Sequence, residues 1–385
     1  MNIKKLFFHI LVIAITITIP VIASADNDIK FEGKGYFYYH HDASNGDGQS
    51  NAFDFSRVYM GAKYKLSDEF TVRYLTDLGH QDKTGKLEVF AKYAYLDWTL
   101  LDNMRLVLGL QGTNNWKQPE NAWGYRSIQY APMEKFGKYW GDWSKIYSSY
   151  LAGWAADPTI SSAESQRVSN LRANFNEASR SKMGASADLG VALKYKPSNV
   201  TYVNFMILNG SGYKHTEDDM FKNFQIRSGI YLMEKAVHIS GYFEVEPWNS
   251  VDENGAGESY MNTQWDALLS YTYEKNFTLG VNVNSKVFSG IQDITATNFS
   301  VFGRASVMSK LNGFARYDMY NTGFNDAEFK AGETAWESNG GLIVFGVEYQ
   351  AHKKISIIPN FQIMTYEDSD MDAVNSMYVH LRFKI

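Results

Sequence analysis

The 385 residues include no cysteine, only 7 prolines and no excess of positive charge. Without thiols there is no disulfide scaffold, iron–sulfur cluster or thiolate zinc site. A formal charge of −5 leaves no basic footprint for nucleic acid. Beyond the first 25 residues no apolar run reaches the ~18 residues of a membrane-crossing helix, the nearest being 340–347. Neither a G-x-S-x-G elbow nor an H-E-x-x-H pair occurs, so the chain carries none of the usual hydrolase signatures and reads as a non-enzyme without a cofactor. What is abundant is aromatic: 24 Phe, 26 Tyr and 9 Trp, too many for a disordered or collagen-like chain.

Positions 1–25 read as a secretory signal peptide. Lys4 and Lys5 precede an apolar run over 6–19, and Ala23-Ser24-Ala25 supplies a small-x-small cleavage pattern. Cleavage after Ala25 leaves residues 26–385 with 35 basic and 42 acidic side chains. Mean hydropathy is −0.33, which is what a membrane barrel also shows, because lipid-facing and lumen-facing residues cancel in any window.

The period along the mature chain is two. Trp265, Ala267, Leu269, Tyr271 and Tyr273 alternate with Gln264, Asp266, Ser270, Thr272 and Glu274. After a short turn Phe277, Leu279, Val281 and Val283 alternate with Thr278, Gly280, Asn282 and Asn284. Such pairs are hairpins with one apolar and one polar face. Sixteen such segments are expected, at 29–41, 53–66, 69–80, 87–100, 104–113, 184–195, 199–211, 222–232, 237–247, 260–274, 277–290, 297–308, 312–322, 340–350, 355–366 and 373–385. Most reach the ~9–11 residues of a tilted membrane strand. Every second connection is tight, and the others are long and polar, as in an outer-membrane barrel with short periplasmic turns and long extracellular loops. The pattern therefore predicts an all-β fold, a 16-stranded antiparallel transmembrane β-barrel, closed by pairing of the last strand with the first because an open edge in lipid strands its backbone groups. Tyr39, Trp98, Trp265, Tyr349 and Tyr366 near strand ends fit interfacial girdles. The third long connection, 114–183, is too long for a plain loop and is partly helical over 161–182 by pattern.

The segments 55–77 (FSRVYMGAKYKLSDEFTVRYLTD), 92–98 (KYAYLDW), 108–113 (LGLQGT), 123–126 (WGYR), 186–191 (SADLGV) and 209–213 (NGSGY) resemble bacterial outer-membrane porins, nearest to the phosphate-selective porins and their uncharacterised relatives. The resemblance covers 53–213 and implies a homotrimeric 16-stranded channel with loop three folded into the pore. It departs from that pattern at Ile385, where such barrels end in an aromatic, and in the length of 114–183.

A barrel of this size leaves an aqueous lumen, so function follows from what faces it. Strand parity turns Arg57, Lys63, Arg73, Lys92 and Arg105 inward from four adjacent strands, a basic wall. The long loop carries Glu120, Glu134, Asp142 and Asp157, and an acidic loop facing a basic wall sets up a transverse field across a constriction. Basic residues at a constriction favour anions, phosphate among them. Glu244, Glu246, Asp266, Glu274, Asp318 and Glu348 also turn inward and either make the far wall acidic or cancel the basic one. The expected function is passive diffusion of small hydrophilic solutes with mild anion preference across the outer membrane of a Gram-negative-type bacterium, in contact with lipid and lipopolysaccharide. The alternative is a plugged barrel whose loops bind or adhere at the surface. Acidic loop clusters such as Glu217-Asp218-Asp219 have the oxygen chemistry for divalent cations, but solvated loops account for them equally.

Overall fold

A computed structural model describes residues 29–42, 51–80, 86–180, 184–217, 219–274, 276–324, 339–367 and 371–385. The leader at 1–25 lies outside them. Sixteen strands form one closed barrel in which each strand pairs antiparallel with its sequence neighbours and β1 (Ile29–Asp42) pairs with β16 (Val374–Lys384). Going round from β1, the wall continues through β2 (Asn51–Lys65), β3 (Phe70–His80), β4 (Leu87–Leu101), β5 (Met104–Gln111), β6 (Asp188–Tyr195), β7 (Thr201–Leu208) and β8 (Asn223–Leu232). It is completed by β9 (Val237–Val251), β10 (Gly257–Tyr273), β11 (Phe277–Phe288), β12 (Ile294–Met308), β13 (Leu311–Asn321), β14 (Gly340–His352) and β15 (Ile355–Tyr366).

The two-residue period is obeyed inside out. On β10, Met261, Trp265 and Leu269 are about half exposed on the outer face, while Asn262, Gln264, Asp266 and Ser270 are buried in the interior. Apolar side chains face lipid, and the polar face is covered by the barrel's own contents. No helix among the described residues is long and apolar enough to cross a membrane. The tight turns hold register locally. Ser67 Oγ accepts from the Glu69 and Phe70 amides at 3.3 and 3.2 Å, and Ser198 Oγ does the same for Val200 and Thr201 at 3.2 and 3.1 Å. At the loop end β6 and β7 stop short of the expected bounds, while β9, β10 and β12 run beyond them. At β6 and β7, Asp188 accepts from the Leu189 and Gly210 amides, both at 2.7 Å, drawing the chain out of the ladder.

Between β5 and β6 lie three helices, α1 (Lys117–Trp123), α2 (Pro132–Ala155) and α3 (Ser162–Arg180). Only α3 matches the helix expected from the sequence. Proline at the start of α2 is compatible with a first turn whose amides have no helical partners, and Glu134 sits there against the positive end of the dipole. Phe136, Trp140, Trp143, Tyr147 and Leu151 recur at helical spacing along α2 and are buried. They meet apolar side chains that β11 to β15 turn inward, among them Phe288, Phe302, Phe314, Tyr320, Leu342 and Val344. Trp140 stacks on Phe288 with centroids 3.8 Å apart, and Trp123 meets Phe302 edge-on at 5.9 Å. Burial of each large side chain contributes about 1.5–3 kcal/mol. The interior therefore has a dry half, where the loop is bound to β11–β15, and a wetter half toward β1–β6. Tyr366, expected in an interfacial girdle, instead packs on the helical cluster inside.

Candidate functional site

Strand register sets the wetter half. Pairing of β1 with β2 and of β2 with β3 brings Glu32 between two cations, Lys63 at 2.7 Å and Arg73 at 2.6 Å. The Arg73 guanidinium also lies 4.6 Å from the centre of the Tyr93 ring and donates to the Tyr95 hydroxyl at 3.5 Å. On β4 the buried Lys92 donates to Ser186 Oγ and sits 3.9 Å over the Tyr213 ring. From the loop, Glu134 of α2 accepts from Arg126 at 2.8 Å and faces Arg57 of β2 at 3.8 Å. Arg57 in turn has Asp77 at 3.7 Å. Tyr130 lies under Arg126 at 4.1 Å and Lys138 at 3.9 Å, so the loop segment nearest this wall is bordered by cations.

Between this wall and α1 is a cavity of about 470 Å³. Seven basic side chains line it, Lys34, Arg73, Lys92, Lys117, Arg126, Lys194 and Lys384, against three carboxylates, Glu32, Glu120 and Glu134. Tyr36, Tyr59, Tyr93, Tyr95 and Trp116 complete the walls. Arg73 and Arg126 are paired with Glu32 and Glu134. Among the described residues the five lysines have no carboxylate within 4.0 Å. Several uncompensated cations around one volume give a positive potential there, strengthened by the low-dielectric wall.

The loop groups at this cavity titrate away from their ordinary ranges. Burial pushes the Glu120 carboxyl up, against the opposing pull of Arg126 and with Glu134 adding to the rise. Burial likewise pulls the Lys117 ammonium down, and the charges of Arg105 and Arg73 add to it.

Of the residues singled out from sequence, Arg73, Lys92, Glu120 and Glu134 line the cavity, and Arg57 reaches it through Glu134. Lys63 is paired with Glu32 and 42% exposed, and Arg105 is paired with Asp97 and 46% exposed, so neither lines it. Asp142 and Asp157 stand apart from it. Asp142 lies off the buried stripe of α2 and pairs with Lys145 at 3.3 Å, while Asp157 caps the turn after α2 by accepting from Thr159. Lys34, Lys117, Arg126, Lys194 and Lys384 were not singled out. Parity could have found those on strands: β1 and β6 adjoin β2 and β5 as chain neighbours, and only β16 needs the barrel to close before it comes beside them.

Of the far-wall acids, Glu244, Asp266, Asp318 and Glu348 are each neutralised where they stand, whereas Glu274 is exposed just past β10 and Glu246 lies near the long-loop end of β9. Arg227 pairs with Asp266 at 2.6 Å, Arg316 with Asp318 at 2.6 Å, Lys286 with Glu244 at 3.6 Å, and Arg382 with Glu348. Two of these arginines also hold the loop. Arg227 donates to the carbonyls of Asn114 and Asn115 at 2.7 and 3.2 Å, and Arg316 donates to that of Tyr130 at 2.5 Å. No group of three or more His, Asp or Glu among the described residues is gathered to hold a metal ion.

The closed barrel with an inward-folded helical loop is the fold of bacterial outer-membrane porins. The structure is similar to the anion-selective porin from Comamonas acidovorans (TM-score 0.60, 9% identity, 93% of this chain and 99% of that one). It is similar also to the outer membrane channel DcaP of Acinetobacter baumannii (TM-score 0.59, 11% identity, 93% and 97%). A third likeness is to OmpF of Salmonella typhi (TM-score 0.55, 10% identity, 93% and 97%). At these identities the likeness is one of fold. No protein-family model matches the sequence, and no curated protein matches it.

Proposed function

We propose that the protein is a passive channel of a bacterial outer membrane that admits small hydrophilic solutes and prefers anions, acting without enzymatic turnover or cofactor. The observation that carries this is the cavity between α1 and the β1–β6 wall, with its five uncompensated lysines. The porin fold supports the setting, and one of its neighbours is described as an anion-selective porin. In this reading the leader at 1–25 is cleaved, the tight turns face the periplasm, the long loops meet lipopolysaccharide, and the barrel assembles as a homotrimer. Phosphate is one anion of suitable size and charge.

The test is single-channel conductance in a planar bilayer with the reversal potential read under a KCl gradient. Steady conductance with the sign of chloride permeation is expected. Exchanging Lys92 and Lys194 for glutamate reverses two of the uncompensated charges and is expected to move the reversal potential to or past zero. An unchanged potential in that variant would remove the cavity from the permeation path. Folded, heat-modifiable protein that stays silent would favour the plugged-barrel reading, for which the dry half of the interior is the structural basis.

A pH dependence follows from the two loop groups. Because Glu120 is raised, acidification neutralises it sooner than an ordinary glutamate and adds to the positive potential. Because Lys117 is lowered, alkalinity discharges it sooner than an ordinary lysine and subtracts from that potential. Anion preference is therefore expected to be greatest at acidic pH and to decline as pH rises. Glu120→Gln should flatten the acidic part of this profile, which reversal potentials from pH 4 to 9 would show.

A further inference from the structure

The cavity between α1 and the β1–β6 wall holds more than attraction of a simple anion would use. Glu120 of α1 lines it, and among the described residues its carboxylate has neither a hydrogen bond nor an ion pair. Gln111 of β5 lines it too and is buried. Its amide nitrogen donates to the carbonyls of Val107 at 3.1 Å and Gly190 at 3.2 Å, which leaves the amide oxygen without a partner. The indole N–H of the buried Trp116 also has no partner among the described residues. Tyr36 and Tyr59 meet edge to face at 6.5 Å, and Tyr93 lies under Arg73. We propose that this cavity binds anionic sugars, that is, a hydroxylated ring carrying one carboxylate or phosphate ester. The specificity rests on the positive potential argued above for the same volume.

Each part of such a ligand meets a different part of the lining. The acid group meets five lysines that no carboxylate neutralises, from which a neutral sugar gains little. Glu120 stands among seven basic side chains and repels any anion placed beside it, unless that anion also brings a donor. A sugar hydroxyl is such a donor, and its bond to a carboxylate is charge-assisted. A halide or acetate has none. The Gln111 oxygen calls for a donor and the Trp116 N–H for an acceptor, and a hydroxyl is both. The C–H face of a sugar ring lies favourably against the negative faces of the tyrosines. An aromatic acid would use the tyrosines and the lysines but leave Glu120 unmet. The volume of about 470 Å³ is that of an ordinary small-molecule site.

The test is isothermal titration of the folded full-length barrel in detergent at pH 7.5 and low salt, with glucuronate, glucose 6-phosphate, glucose, acetate and inorganic phosphate as probes. Saturable binding of glucuronate or glucose 6-phosphate is expected, and the tighter of the two assigns the acid group. Glucose, acetate and inorganic phosphate should each be at least about tenfold weaker, since one hydrogen bond to a charged group is worth about that factor or more. Glu120→Leu removes both the acceptor for a hydroxyl and the repulsion of a plain acid. The affinity for the anionic sugar relative to acetate should therefore fall about tenfold. Lys34→Gln combined with Lys117→Gln changes two exposed side chains, leaves the barrel closed and should weaken the anionic sugar about tenfold. Absence of saturable binding by both anionic sugars, equal binding of glucose, equal binding of acetate or inorganic phosphate, an unchanged ratio in Glu120→Leu, or unaltered affinity in the lysine variant would each overturn the proposal. Sugar binding by a protein that carries no current would defeat the channel reading alone. Anion-selective current from a protein that binds neither anionic sugar would defeat the sugar site alone.

Discussion

Trp140→Ala is expected to free the loop helices from the barrel wall while leaving the barrel closed. Trp140 is about 1% exposed, lies face to face with Phe288 at 3.8 Å and 8°, and stacks on Phe324 at 5.5 Å. Its indole N–H donates to the Thr322 carbonyl at 3.2 Å, so truncation removes both packing and a buried hydrogen bond. Loss of a buried tryptophan of this kind costs about 3–5 kcal/mol. The cost falls on the loop, because no ladder hydrogen bond passes through Trp140 and the β1–β16 seam is on a different part of the wall. At ~1.4 kcal/mol per decade, amide exchange within 132–155 should accelerate by about two to three and a half decades, with exchange in the strands unchanged. Conductance should rise and become noisier if the packed helices narrow the lumen. Exchange in α2 that stays at its original rate would show that the aromatic stack does not hold the helix.

Arg227→Met is expected to destabilise the folded protein by about 3–5 kcal/mol, for a different reason. The side chains of Arg227 and Asp266 are both almost fully buried and 2.6 Å apart. Removing the arginine leaves a buried carboxylate without its cation, with Asn282 still donating to it. It also removes two of the donors that tie Asn114 and Asn115 to the wall, where the chain leaves β5 for the loop. Adding Asp266→Asn to Arg227→Met separates the two contributions. It removes the stranded charge, so it should recover most of the charge penalty and leave the loss of the loop anchor. Urea midpoints of the single and double variants in lipid vesicles measure both. A double variant no more stable than Arg227→Met alone would mean that the anchor, and not the charge, dominates. Arg316, paired with Asp318 and donating to the Tyr130 carbonyl, is the second anchor of the same design.

How much could be read from the residues differs from part to part. The sixteen strands, their order and their tight turns follow from an alternation that each residue pair displays locally. In lipid the rule is simple, because one face meets hydrocarbon and the other does not. That β1 closes on β16 follows from the cost of an open edge. The helical face of α2 is also present in the sequence, at 136, 140, 143, 147 and 151, but it lies within a long connection whose packing partner is not local. Its partners on β11–β13 stand about 130 to 190 residues further along the chain, where no local period reaches them.

The cavity shows the same division. Strand parity assigned Arg73 and Lys92 to the interior, and loop membership identified Glu120 and Glu134 as candidates to face them. Parity gives the side of the wall but neither height nor partner. Only the register of β1 on β2 and of β2 on β3 lets Glu32 neutralise Arg73 and Lys63. The register of β1 on β2 and of β5 on β6 adds Lys34 and Lys194 to the same volume, barrel closure adds Lys384, and only the phase of α2 keeps Glu134 there while carrying Asp142 into solvent. The sequence by itself determined the class of fold, the lipid-facing surface and the polar character of the lumen, because these depend on the sign of each residue's preference and on a period of two. The tertiary structure alone decided which charges cancel and which remain. Electrostatic compensation depends on distances of a few ångströms between residues far apart in the chain, and alternation carries no information about those distances.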